Sequence, residues 1–81
     1  MNVDVRLFAS YREKAGTSCI TVEVPKGATV GRLAEEIISG YPEIIDDPGR
    51  LIVAVNHEYR DHLHSLKEGD EVALIPPVSG G

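Results

Sequence analysis

Few residues in this chain join reactive chemistry to a spacing that could use it. The strongest candidate is the last stretch, Ile75-Pro76-Pro77-Val78-Ser79-Gly80-Gly81, which follows directly on a strand pattern from Glu71 to Ile75. Proline lacks a backbone donor, so Pro76 and Pro77 end a sheet ladder and hold the departing chain extended. Gly80 and Gly81 carry no side chains and take almost any backbone angle. The expected product is a narrow arm, stiff and then flexible, with a carboxylate at its tip. Such a carboxylate could enter an active site that a bulkier residue would block. A Gly-Gly ending by itself is also what a frayed terminus looks like. Its attachment to a strand and two prolines, on the body described below, favours the functional reading.

The other reactive residues are isolated. Cys19 is the only cysteine, which excludes an internal disulfide and points to a reducing compartment. It could relay a thiol, but a lone cysteine usually behaves as a small apolar residue, so it is expected to fill space in its strand. His57, His62 and His64 have no cysteine or carboxylate at a recognised ligand spacing, so exposed loop histidines and no metal site are expected. Arg12 could pair with an acidic group on a partner or simply be solvated. Glu35 and Glu36 fall on the wet side of a helix.

A chain of 81 residues makes one domain with a modest core. Apolar residues are 42% and charged residues 26%, the balance of a soluble globular chain. Acidic residues outnumber basic ones 13 to 8, giving a net charge of −5. That argues against binding a nucleic-acid backbone and is compatible with a basic surface on a protein partner. No apolar run approaches the ~18 residues of a membrane span. The start, Met1 to Val5, lacks the pattern of a signal peptide, so a cytoplasmic protein is expected. No internal repeat or low-complexity segment is visible.

The elements that must position the arm follow from periodicity. Val3, Val5 and Leu7 alternate with Asp4, Arg6 and Phe8, the pattern of a half-buried strand. Phe8 then falls on the polar face, either under a loop or in an exposed patch that awaits a partner. Ser10 to Gly16 reads as one short helical turn with Ser10 as cap and Gly16 as terminator. Ile20, Val22 and Val24 alternate with Cys19, Thr21 and Glu23, so two strands form a hairpin. After a turn at Pro25 to Ala28, Thr29 caps the one clear helix. Val30, Leu33, Ala34, Ile37, Ile38 and Tyr41 form a single apolar stripe, and Gly40 and Pro42 stop it.

Glu43 to Arg50 reads as a polar connection with a turn at Asp47-Pro48-Gly49. Leu51 to Val55 is apolar throughout, which suggests a strand covered on both faces. Periodicity leaves open whether Ile52 or Val53 meets the helix. Asn56 to Glu58 reads as a turn, Tyr59 to His64 as a minor element, and Leu66 to Asp70 as a tight turn around Gly69. In the last strand Val72 and Leu74 point inward, Ala73 and Ile75 outward. A hairpin, a helix with one apolar face, and further strands give an α+β fold: a mixed sheet of four to five strands with one main helix on one face. This is the β-grasp order that ubiquitin uses. The expected division is a β-grasp domain over 1–76 and a flexible tail over 77–81.

The chain resembles a known family in Leu7 to Glu13, Thr29-Val30-Gly31-Arg32-Leu33, Val53-Ala54-Val55-Asn56, Leu66 to Val72 and Ile75 to Gly81. Taken together, these look like the small, sulfur-carrying subunits of molybdopterin synthases, and the likeness spans essentially the whole chain. It implies that an adenylating enzyme akin to ubiquitin-activating enzymes uses ATP to activate the Gly81 carboxylate. A sulfur donor then converts it to a thiocarboxylate. The tail, Pro76, Pro77, Val78, Ser79 and Gly80, threads Gly81 into the large subunit, where sulfur passes to a cyclic pyranopterin precursor. The resemblance further implies a heterotetramer of two large and two small subunits, with Phe8, Ala73 and Ile75 in the contact. It implies no bound cofactor and no activity of the small subunit alone, so the acids and bases come from the large subunit. Side chains at Gly80 or Gly81 are expected to slow the chemistry and leave stability unchanged. Other readings of the same ending are a sulfur carrier for thiamine, cysteine or tRNA thiolation, a ubiquitin-like protein modifier, and a plain binding module.

Overall fold

Alternating apolar residues turn one side of most of the strands toward a core shared with one helix. The computed structural model describes residues 1–45 and 51–76. Its elements are β1 (Asn2–Leu7), α1 (Ala9–Ala15), β2 (Cys19–Glu23), α2 (Val30–Gly40), β3 (Ile52–Val55), β4 (Glu58–Tyr59) and β5 (Glu71–Ile75). The strands form one five-stranded sheet in the order β2-β1-β5-β3-β4. β5 runs parallel to β1 and antiparallel to β3, so the sheet is mixed. Among the described residues no helix is long and apolar enough to cross a membrane.

The core forms between the inward sheet face and α2. Val3, Val5 and Leu7 of β1, Ile20 and Val22 of β2, Val53 and Val55 of β3, and Val72 and Leu74 of β5 share it with Val30, Leu33 and Ile37 of α2. Val72 and Leu74 are 0% exposed because β5 has a paired neighbour on each side and the helix layer above. This is the ubiquitin-like β-grasp arrangement expected from the sequence.

The start of α2 is closed by a distant loop. The first amides of a helix have no partner within it. The Val30 N–H donates to the His64 carbonyl at 2.9 Å and the Gly31 N–H to the His62 carbonyl at 3.0 Å. The Arg32 N–H donates to the Thr29 hydroxyl at 3.2 Å, the cap read from the sequence. A glycine suits position 31 because an added Cβ would stand 3.2 Å from the His62 Cβ and 3.3 Å from its carbonyl oxygen.

Several local expectations need correction. The segment after β1 is a seven-residue helix, α1, with Phe8 and not Ser10 at its N-cap position. The reason is Tyr11, which is buried and draws the chain into helix as soon as the strand ends. Gly16 closes α1 in the left-handed conformation, φ 73°, as expected. The connection after α2 is not wholly polar, since Ile44 and Ile45 are buried in the core. The expected turn at Asp47-Pro48-Gly49 lies outside the described residues. Ile52 points to the open face and is 38% exposed, so β3 is not covered on both faces. Cys19 fills no space: it is exposed on edge strand β2.

Two substitutions weigh these contributions in urea unfolding. Leu74→Ala opens a cavity in the central strand and is expected to lower the unfolding free energy by about 2–5 kcal/mol. Thr29→Ala removes one cap and should cost about 1 kcal/mol.

Candidate functional site

The inward alternation of β5 fixes what lies on the other side. Ala73 and Ile75 face away from α2, and strand register brings their neighbours beside them. Arg6 pairs with both Cys19 and Ala73, Ala73 with Ala54, and Ala54 with Tyr59, forming one row across the open face. Ile75 pairs with Ile52 in the next row. A groove of about 300 Å³ runs over this surface. Ala54, Ala73 and Ile75 form its floor, Phe8 and Tyr59 its apolar walls, and Arg6, His57 and Glu71 its polar end.

Each wall has a local cause. Phe8 follows β1 in extended backbone, φ −125°, and accepts the Tyr11 N–H at 3.1 Å. Ala9 then turns with φ 49°, a conformation uncommon outside glycine. The chain bends sharply so that Tyr11 reaches the core while Phe8 stays on the open side, 44% exposed. Tyr59, 75% exposed, is carried by β4 after a two-residue loop, Asn56-His57. Both loop residues have positive φ, 52° and 70°, the geometry favoured for tight hairpins.

A polar bracket locks that hairpin to β5. The Asn56 side-chain amide donates to an Asp70 carboxylate oxygen at 2.9 Å, and its carbonyl oxygen accepts the Glu71 N–H at 3.0 Å. The Asn56 N–H donates to the Glu71 carbonyl at 2.8 Å. The other Asp70 oxygen accepts the Lys67 N–H at 2.7 Å. That backbone bond holds the Asp70 carboxyl below its ordinary value. Partial burial opposes the shift; the Asn56 amide and the charges of His64 and Lys67 assist it. At the groove's polar end, Glu71 takes Arg6 at 3.0 Å and His57 at 3.5 Å. These groups are solvated, so the pairs contribute at most about 1 kcal/mol each.

Phe8, Ala73 and Ile75 therefore meet on one groove, as their alternation suggested. Ile52, Ala54 and Tyr59 join the same face and were missed. Choosing Val53 as the inward residue of β3 would have revealed the first two. Of the expected tail, Pro76 is the residue after β5, whereas Pro77, Val78, Ser79, Gly80 and Gly81 lie outside the described residues. The histidines fall apart from one another: His57 on the groove rim, His62 and His64 in the loop that caps α2. Among the described residues no group of three or more His, Cys, Asp or Glu could hold a metal ion. Arg12 lies in a neighbouring cleft with Cys19.

Comparison with known proteins agrees on family and fold. The model of the ThiS family matches residues 5–81. A Drosophila melanogaster protein named molybdopterin synthase sulfur carrier subunit is 45% identical, over 100% of this chain and 92% of its own length. Small archaeal modifier protein 1 of H. volcanii superposes with a TM-score of 0.79 at 30% identity, covering 95% of this chain and 98% of that one. A complex of subunits 1 and 2 of molybdopterin-converting factor from Helicobacter pylori contains a chain with a TM-score of 0.70 at 27% identity, with full coverage of both.

The bracket has a pH signature. A depressed folded-state carboxyl adds stability above its unfolded value and loses it as pH falls through the folded one. Asp70→Asn is expected to be less stable than the parent at neutral pH, with the gap narrowing in acid. Urea midpoints measured across that range check it, and a gap independent of pH would contradict it.

Proposed function

The chain belongs to the ThiS family, and from that premise we propose that it is the sulfur-carrier subunit of a molybdopterin synthase. The observation that carries this reading is the likeness to a subunit of that name over the full length of this chain. The family match also runs through Gly81, the residue whose carboxylate the chemistry needs.

In this reading an adenylating enzyme joins the Gly81 carboxylate to AMP from ATP, releasing pyrophosphate. Activation is required because a free carboxylate is a poor acyl donor. Sulfide delivered by a sulfur donor then attacks the acyl carbon, AMP leaves, a proton is lost, and Gly81 ends in a thiocarboxylate. That group is a far better nucleophile than the carboxylate it replaces. The large subunit receives the tail, and the thiocarboxylate sulfur attacks the pyranopterin precursor. Two charged small subunits complete the dithiolene, which suits a heterotetramer of two small and two large subunits in the cytoplasm. The small subunit supplies a handle and a docking face, and the acids and bases belong to its partner.

The groove fits the docking role. Phe8, Tyr59, Ile52 and Ile75 expose apolar surface on one face, and contiguous apolar surface of this kind marks interaction sites. It adjoins the end of β5, so a partner seated there stands beside the base of the tail.

A second reading rests on the likeness to small archaeal modifier protein 1. The activated Gly81 would then form an isopeptide bond with a lysine, and high-mass conjugates in cell extract would mark it.

Two results test the first reading. Gly81→Val is expected to abolish conversion of precursor in the reconstituted synthase and leave the melting temperature unchanged. Every buried apolar residue described lies between Val3 and Leu74. Phe8→Asp with Ile75→Asp should fold and lose binding to the large subunit; normal binding by the folded double variant would remove the groove from the interface.

A further inference from the structure

Beside the apolar groove lies a second cleft, of about 290 Å³, lined by Arg6, Leu7, Phe8, Arg12, Ser18 and Cys19. Two arginines line it, and none of its lining residues is acidic. The chain carries 13 acidic residues against 8 basic ones, so this cleft reverses the charge of the molecule around it. Glu13 follows Arg12 on α1 but does not line the cleft.

Arg12 also differs from the other arginines among the described residues. Arg6 pairs with Glu71, Arg32 with Glu36 and Arg60 with Glu58. Arg12 has no ion pair among the described residues. Its backbone is well held, since its carbonyl accepts the Gly16 N–H at 3.0 Å in the closing turn of α1. The guanidinium is thus presented from a fixed base, with its donors unused among the described residues.

The cleft and the groove are neighbours that share Arg6 and Phe8 in their lining. A protein that covers the groove also approaches the cleft. Covering an unpaired guanidinium removes its water, which is costly unless an anion replaces it. A planar guanidinium and a carboxylate satisfy each other with two parallel hydrogen bonds.

We propose that this cleft is a carboxylate-binding subsite of the docking face: it takes an aspartate or glutamate side chain of the protein seated on the groove, and Arg12 holds it. The proposal rests on the docking role given to the groove above. Arg6, at the shared wall, is already engaged by Glu71, which leaves Arg12 to meet the incoming carboxylate. Arg12 thereby sets the orientation of the partner as well as its affinity, since an apolar groove alone tolerates sliding.

The test uses the full chain and the purified large subunit of molybdopterin synthase, titrated calorimetrically at low and high salt. Arg12→Ala is expected to weaken binding by roughly ten-fold or more and to flatten its salt dependence. Arg12→Lys should recover part of the loss, because it keeps the charge and not the fork. Lys26→Ala, in the turn before α2, should bind as the parent does. Docking should also slow labelling of Cys19 by a thiol reagent, read by mass on the small chain. Because Arg12 is exposed, the variants are expected to keep the parent's melting temperature.

Affinity for Arg12→Ala within about two-fold of the parent would overturn the subsite and leave the docking reading standing. Failure of the parent itself to bind would overturn both. Saturable binding of inorganic phosphate at Arg12, with partner affinity indifferent to Arg12→Ala, would make this a free-anion site and overturn the proposal.

Discussion

The parallel pairing of β1 with β5 is the constraint on which the rest of the molecule depends. It places the last strand at the centre of the sheet, between β1 and β3. Val72 and Leu74 must then fill the space under α2, and two-residue alternation sends Ala73 and Ile75 to the opposite face. The same strand is therefore core on one side and groove floor on the other. The next residue, Pro76, cannot extend the ladder. The groove and the residue that follows β5 are adjacent because one strand leads to both.

The open face is set by smaller devices with separate causes. Burial of Tyr11 bends the chain at Ala9 and leaves Phe8 outside. The Asn56-His57 loop returns β4 beside β3 and presents Tyr59. The bracket of Asn56, Asp70 and Glu71 ties that loop to the start of β5. These hydrogen bonds are individually worth about 1 kcal/mol. Their common effect is to tie the groove walls together, which in the proposed docking role preorganises the face. In the proposed function, chemistry and positioning are thereby divided: Gly81 supplies the reactive carbon, and the folded body offers the docking face.

Much of this was legible in the sequence, for physical reasons that differ by element. β1, β2 and β5 alternate cleanly, and α2 carries one stripe with a threonine cap, so single-face burial wrote their faces into the pattern. Phe8, Ala73 and Ile75 followed from that alternation. β3 was ambiguous because Leu51 to Val55 is apolar on both sides, and only pairing with β5 shows Ile52 and Ala54 on the open face. α1 was under-read because its seven residues bury just Tyr11 amid polar neighbours. Ile44 and Ile45 were hidden within a polar connection, where two adjacent apolar residues show no period. The Asn56–Asp70 contact spans 14 positions and has no local signal. The exposed position of Cys19 follows from the same alternation that buries Ile20, though its residue type had suggested the interior.

In the proposed function this fold presents a carboxylate that becomes a thiocarboxylate sulfur carrier. The most direct test is the intact mass of the full chain purified from cells that also make its activating enzyme and sulfur donor. The account predicts one oxygen replaced by sulfur, localised to the peptide that ends in Gly81 and absent when Gly81 is deleted. A mass that stays unshifted under ample sulfur supply would contradict it.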